Sequence, residues 1–192
     1  NTDAGPTNDP LYAKALVLGD GTTTAVFATV DAVAIAEIGT IVGMTVAVLD
    51  DREDFASTDN IPFADRVICG DFVEELDRFP LTANTAVVLV SRGHKVDELS
   101  LGHVIGRGAA YVGMIGSKRR TGTVLAHLKE EGLDAAELDR VFTPIGLDIG
   151  AETPEEIALA VLAEIVLVRR AATNRRGSGR PLSDYGRTIA SS

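Results

Sequence analysis

Short apolar, β-branched runs alternate with helix-periodic stretches along most of this chain, which predicts repeated strand–helix units. Residues 14–18 and 23–30 are apolar segments around Gly19-Asp20-Gly21, the pattern of a hairpin. Asp31 precedes a helical pattern over 32–42 that Gly43 ends. Residues 45–49 form a buried strand that stops at Asp50-Asp51-Arg52-Glu53, and 67–69 form a short strand after a Pro-containing loop. One or two helical turns over 74–78 end before Pro80. Residues 85–90 and 111–115 are further apolar strands, each followed by a helical pattern, 96–105 and 118–131. Residues 134–141 predict a short helix and 144–149 a short strand or turn. Thr153-Pro154-Glu155-Glu156 is a helix start with a Thr cap, Pro at the first position and Glu at the third. That helix should run to about residue 170.

Strands alternating with helices from about residue 24 predict a doubly wound α/β domain, Rossmann-like, with a mainly parallel sheet and an N-terminal hairpin or arm. The expected division is an arm and hairpin start over 1–22, the α/β domain over 23–170, and a flexible basic tail over 171–192. In such folds ligands sit beyond the carboxyl ends of the strands. The chemistry is therefore expected at Asp50-Asp51, Cys69-Gly70-Asp71, Ser91–His94, Gly113–Arg119 and 144–152.

At those ends the residue types point to an anionic ligand. Gly113-Met114-Ile115-Gly116-Ser117-Lys118-Arg119 runs from a strand into a helix start. Bare backbone N–H groups, the Ser117 hydroxyl and the Lys118 or Arg119 charge can together hold a phosphate. The spacing is not that of a P-loop. Gly146 and Asp148 belong to a second glycine-rich edge before the last helix, where Asp148 and Glu152 suit capping and turn formation as well as ligand contact. Asp50 or Asp51 stands where dinucleotide folds bind a sugar hydroxyl. Arg92-Gly93-His94 places a cation and a titratable imidazole on one loop. The Gly-x-Gly-x-x-Gly turn of dinucleotide folds is missing, because residues 28–34 contain no glycine. His103 and His127, on helices, are expected to be structural, and no metal site is expected.

Bulk composition narrows the classes further. The 192 residues carry a formal charge of −10, which argues against non-specific nucleic-acid binding. The single cysteine, Cys69, excludes an internal disulfide and is expected to be a small buried residue. The last helix has an apolar run broken by Glu164, too short for a membrane span. No signal pattern opens the chain, so cytoplasm is the expected location and no membrane partner is expected.

From about Gly43 to Arg170 the sequence resembles the C-terminal domain of the XdhC/CoxI family, the xanthine dehydrogenase accessory proteins. The likeness rests on residues 48–55, Ser91–His94, Tyr111–Arg120 and Pro144–Glu156. It implies a Rossmann-like domain that matures molybdenum hydroxylases, binding molybdenum cofactor, aiding its sulfuration and delivering it to the apo-enzyme. It further implies a client enzyme of the xanthine or CO dehydrogenase type and a cysteine desulfurase as partners, with a homo-oligomer also open. On this resemblance the chain is a non-catalytic factor, and an NAD(P)-dependent oxidoreductase or a ligand-free protein-binding scaffold are the alternatives. The family's opening Gly-x-Gly-His turn is replaced here, and its Gly-Gly-Cys motif has no counterpart. Residues 1–39, especially 9–18, resemble a segment of the neutral ceramidase-like family without that family's metal-binding histidines.

Overall fold

The computed structural model describes residues 14–19, 30–90 and 94–172. They form a five-stranded sheet of β1 (Lys14–Gly19), β2 (Thr45–Asp50), β3 (Arg66–Cys69), β4 (Ala86–Leu89) and β5 (Tyr111–Met114), in the order β3-β2-β1-β4-β5. The helices are α1 (Val30–Ile41), α2 (Phe72–Arg78), α3 (His94–Val104), α4 (Lys118–Glu130), α5 (Ala135–Leu138) and α6 (Pro154–Ala172). α1 packs on α6, and α3 packs on both α2 and α4. Along β4 every residue is buried, and along β2 all but the first. Successive strand residues point to opposite faces, so both faces of the sheet are covered and the fold is Rossmann-like α/β.

Local chemistry explains the element boundaries. Gly43 adopts φ +79° beyond α1, where its N–H donates to the Thr40 carbonyl and the Met44 N–H to that of Gly39. This paired closure needs a left-handed residue, which glycine supplies without strain. Gly132 closes α4 through the same bond pattern, to Lys129 and from Leu133 to Leu128. At the helix starts, Asp71 accepts from the Val73 and Glu74 N–H groups, and Asp134 from that of Ala136. No helix among the described residues is long and apolar enough to cross a membrane.

The structure corrects one expectation and narrows another. β1 is antiparallel to both neighbours, with Lys14 opposite Asp50 and Gly19 opposite Thr45. The other four strands run one way, through the parallel pairs β2–β3 and β4–β5. An apolar run carries no information about strand direction, and β1 gains hydrogen bonds on both edges by sitting between β2 and β4. The second arm of the expected hairpin lies outside the described residues except for Val30, which begins α1. Of the strand or turn open for residues 144–149, the strand is absent: they form a loop laid on α6, where the Leu147 N–H donates to the Ala160 carbonyl at 3.2 Å. The arm over 1–13 and the tail beyond Ala172 lie outside the described residues.

The start of α6 yields a pH prediction. The Glu156 carboxylate accepts from the N–H groups of Glu152 at 2.8 Å and Thr153 at 3.0 Å, while the Thr153 hydroxyl accepts from the Glu156 N–H. These bonds, that from Glu152 first, hold the Glu156 carboxyl below its usual value of 4.5. A group depressed in the folded state stabilises above its unfolded pKa and stops doing so as pH falls through its folded pKa. The melting-temperature gap between wild type and Glu156→Gln should therefore be present near neutrality and close as pH falls below 4.5 and through the depressed folded value. A gap that is constant with pH would deny the charge a role.

Candidate functional site

The carboxyl ends of β2, β3, β4 and β5 share one edge of the sheet, and there the chain passes from strand to loop to helix. At the β5 corner Ser117 caps α4, its hydroxyl accepting from the Arg120 N–H at 3.3 Å, and the Thr121 N–H donates to the Ser117 carbonyl. The first N–H groups of a helix have no intrahelical acceptor, so those of Lys118 and Arg119 are directed out of the end of α4. Ser117, Lys118 and Arg119 are exposed. Beside them a groove of about 470 Å³ is lined by Glu98, Ser117, Arg119, Arg120, Thr123 and Val124. Cations and a helix amino end here face one carboxylate, Glu98, to which His127 is hydrogen-bonded at 2.6 Å. A phosphate would meet a net attraction.

Gly116 holds φ +152°, and a Cβ there would lie 2.9 Å from Thr121 Cγ2. A side chain at 116 would strain the backbone and push on α4, so the glycine is what allows the tight passage from β5 into the helix.

Gly113 and Gly146 serve packing in this structure. A Cβ at Gly113 would stand 2.7 Å from Ile145 Cδ1 and 2.7 Å from the Tyr111 ring and hydroxyl. The Tyr111 ring is buried against Phe142, with centroids 4.5 Å apart, and its hydroxyl donates to Glu164 at 2.5 Å. Burial first, then the Glu164 charge, pushes the Tyr111 phenol well above its ordinary value. The same Glu164 oxygen accepts from the Gly146 N–H at 3.0 Å, and a Cβ at Gly146 would press on the α6 backbone at 3.3 Å. The Gly146 N–H is thus committed to a carboxylate. Asp148, farther along that loop, is exposed. Sequence reasoning missed Glu164 as the tie between β5, the loop and α6, having read it only as a polar break in an apolar helix.

At the β2 and β3 corner Asp50 is fully buried, and Arg52 engages both its oxygens. The Arg52 backbone N–H and Nε donate to Oδ1 at 3.1 and 3.2 Å, and Nη2 to Oδ2 at 3.4 Å. Arg52 also stacks its guanidinium 3.6 Å over the Phe55 ring. Asp50 is therefore built into a turn, and Asp51 next to it is the exposed carboxylate. Partial desolvation, then the Asp50 charge, raises the Asp51 pKa. Cys69 pairs with Asp50 across β2 and β3 and is exposed rather than buried, because β3 is an edge strand. Desolvation and the charges of Glu53, Asp50 and Asp51 raise its thiol pKa, the opposite of what a reactive thiolate needs.

The Asp51 and Ser117 corners are three strand spacings apart in the sheet order, roughly 14 Å. One phosphate cannot touch both, whereas an extended cofactor with a phosphate at one end can. His94, at the start of α3, lies between them in the sequence of strand ends. Arg92 and Gly93 lie outside the described residues. The reversed β1 ends at Gly19 opposite Thr45, away from this edge, so β1 does not lead from this edge into α1 as in dinucleotide folds. A second cavity, of about 500 Å³, is bounded by Val104, Gly108, Ala110, Val112, Arg140 and Val168 at the amino end of β5, on the far edge from these groups.

Residues 24–165 match the family described as the XdhC Rossmann domain. The match begins ahead of residue 43, where the motif likeness begins, and takes in α1 but not β1. The chain is 32% identical over 143 residues to the Escherichia coli protein named uncharacterized protein YqeB, an alignment covering 72% of this chain and 26% of that protein. It is 29% identical over 140 residues to a Bacillus subtilis protein named as a probable xanthine dehydrogenase subunit, covering 73% of this chain and 40% of that one. The chain thus spans well under half the length of these two relatives. A solved structure described as a xanthine dehydrogenase from Bacillus halodurans superimposes with a TM-score of 0.67 at 20% identity, covering 91% of this chain and 63% of that one. That likeness speaks to the fold. The family match extends over well over half of the sequence, and this chain belongs to the XdhC Rossmann-domain family.

Proposed function

We propose that this chain is the cofactor-holding part of a maturation factor for a molybdenum hydroxylase of the xanthine or CO dehydrogenase type. The observation that carries this is the α4 corner, where Ser117, Lys118 and Arg119 stand exposed beside a groove in a chain of formal charge −10. The donor set suits the phosphate of molybdenum cofactor, here a cargo to be passed on. Lys118 and Arg119 supply charge, the amino end of α4 supplies N–H groups, and the Ser117 hydroxyl lines the groove. Asp51 suits a hydroxyl or ring N–H at the other end of an extended ligand, with the Asp50–Arg52 pair fixing the turn beneath it. The cargo would supply the redox chemistry to its client after delivery, and these residues would only bind and orient it. Sulfuration would need a partner such as a cysteine desulfurase to supply the sulfur. The name of the Bacillus subtilis relative supports a xanthine dehydrogenase as client. The reversed β1 weighs against an NAD(P)-dependent oxidoreductase.

The test is an anaerobic thermal-shift titration with molybdenum cofactor, NAD(P)H and CTP in separate arms. A ligand at a hundred times its Kd adds about 2.7 kcal/mol, several degrees in melting temperature. The expected result is a shift with molybdenum cofactor that Lys118→Ala/Arg119→Ala removes without altering the unliganded melt. Gly116→Val is a poor probe, because the strained backbone and the Thr121 contact would perturb α4 itself. A shift with NAD(P)H alone would overturn the proposal in favour of a redox enzyme. Silence in all arms would leave a protein-binding scaffold.

A further inference from the structure

We propose that Glu98, His127 and Glu131 form a binding site for a borderline divalent cation of the zinc type, on the face where α3 and α4 pack. One potential ligand atom from each residue lies within 4.8 Å of the other two. His127 and Glu131 are four residues apart, at the end of α4 and its cap, so they share one helix face one turn apart. Glu98 comes from α3, and its place opposite them is set by the packing of the two helices. Gly102, one turn beyond Glu98, faces the Leu128 side chain, with only 3.6 Å between an added Cβ and Leu128 Cδ2. Leu128 is buried beside His127, which anchors this end of α4. The backbone therefore delivers three ligands from two rigid elements, the arrangement by which helical proteins build metal sites.

The donor chemistry selects the ion. One imidazole with two carboxylates suits zinc, cobalt or nickel, whereas magnesium and calcium prefer all-oxygen sets. His127 Nδ1 and Glu98 Oε1 are already 2.6 Å apart, sharing a hydrogen that the cation would replace. The remaining separation closes by rotation of side chains with room to move, since the His127 side chain is 52% exposed. Exposure also leaves the fourth coordination position open to water. Two carboxylates outnumber one imidazole, so the cluster keeps negative charge even with the ring protonated. A bound cation would also neutralise Glu98, the acidic residue among those lining the α4 groove. His103 offers the contrast: it is hydrogen-bonded to one carboxylate, Asp77, at 3.0 Å, beside the Arg107 guanidinium 3.7 Å from the same oxygen. That is an ion pair with its cation in place. Sequence reading treated both histidines as structural for want of metal-ligand spacing along the chain; Glu98 lies 29 residues from His127, and only the helix packing unites them.

The experiment is calorimetric titration of the tag-free chain with zinc chloride in a non-chelating buffer, with magnesium chloride as a parallel arm. Cobalt substitution followed by visible absorption adds a reading of inner-sphere ligation. One equivalent of zinc should bind, magnesium should not, and cobalt should give bands that His127→Ala abolishes. His127→Ala, Glu131→Gln and Glu98→Gln should each weaken zinc by at least roughly tenfold, the loss seen even for outer-shell partners. His103→Ala should leave binding unchanged. All four positions are partly or fully exposed, and circular dichroism of each variant verifies that the fold is retained. No zinc binding at millimolar concentration would overturn the proposal. So would zinc affinity that survives His127→Ala, which would move the metal to another corner such as that of Cys69.

Discussion

Replacing Arg107 by alanine is expected to destabilise the domain by about 3 kcal/mol, among the largest single effects of any partly exposed side chain here. Its guanidinium collects four backbone carbonyls. Nη1 donates to Leu76 at 2.7 Å and His103 at 3.0 Å, and Nη2 to Asp77 at 3.1 Å and Phe79 at 3.0 Å. Three of these come from the end of α2 and one from the end of α3, so a single cation sits at the negative ends of two helices. A hydrogen bond to a charged group contributes roughly 1.5–3 kcal/mol, but Arg107 is 30% exposed and water can serve some of the carbonyls once it is gone. The net figure is accordingly well below four such bonds. Arg107→Lys should recover less than half of the loss, because one ammonium cannot satisfy carbonyls spread across two helix ends. Urea denaturation of the two variants checks this. A loss below about 0.5 kcal/mol for alanine, the range of an ordinary surface change, would show that solvent replaces the guanidinium fully.

Arg107 also shows where the sequence stops being informative. Three of its four partners are main-chain atoms about 30 residues earlier, and a backbone carbonyl leaves no mark in a sequence. Features that depend on neighbours in the chain were legible. The cap at Thr153, the stops at Gly43 and Gly132, and the strand that gives out at Asp50 all follow from local spacing. The family likeness was legible for the same reason, since its motifs are contiguous. Direction and lateral order were not. The pattern of β1 suits either orientation, and only its register against Asp50 and Leu89 reveals the reversal. Exposure of Cys69 likewise depends on β3 being an edge strand, which is a property of the whole sheet. The Asp50–Arg52 pair is different: two residues apart and of opposite charge, it offered a local signal that Asp50 would be engaged within its own turn.

Gly113 decides between two physical meanings of one glycine, and its substitution by alanine is expected to cost about 3 kcal/mol. The strand is at the sheet edge, where the Phe142 N–H donates to the Val112 carbonyl at 2.9 Å and the Met114 N–H to that of Phe142 at 3.0 Å. Tyr111 and Gly113 point to the same face, and the tyrosine ring leans over the space a side chain would fill. A methyl group there meets Ile145 and Tyr111 atoms at 2.7 Å. Ile145 can swing aside at modest cost. Tyr111 cannot, being 2% exposed, stacked on Phe142 and hydrogen-bonded to Glu164. Overpacking of this kind costs roughly 1–3 kcal/mol, and displacing the ring also breaks a charge-assisted bond of similar size. If that mechanism holds, Gly113→Ala should cost about 1 kcal/mol less in a Tyr111→Phe background, where the bond is already gone. Additive losses would place the strain on Ile145 and the backbone. A Gly113→Ala protein that melts like wild type yet no longer binds the cofactor would instead return this glycine to the ligand. The packing geometry predicts the reverse order, with stability lost first and binding weakened only as far as the β5 end shifts Gly116 and the amino end of α4.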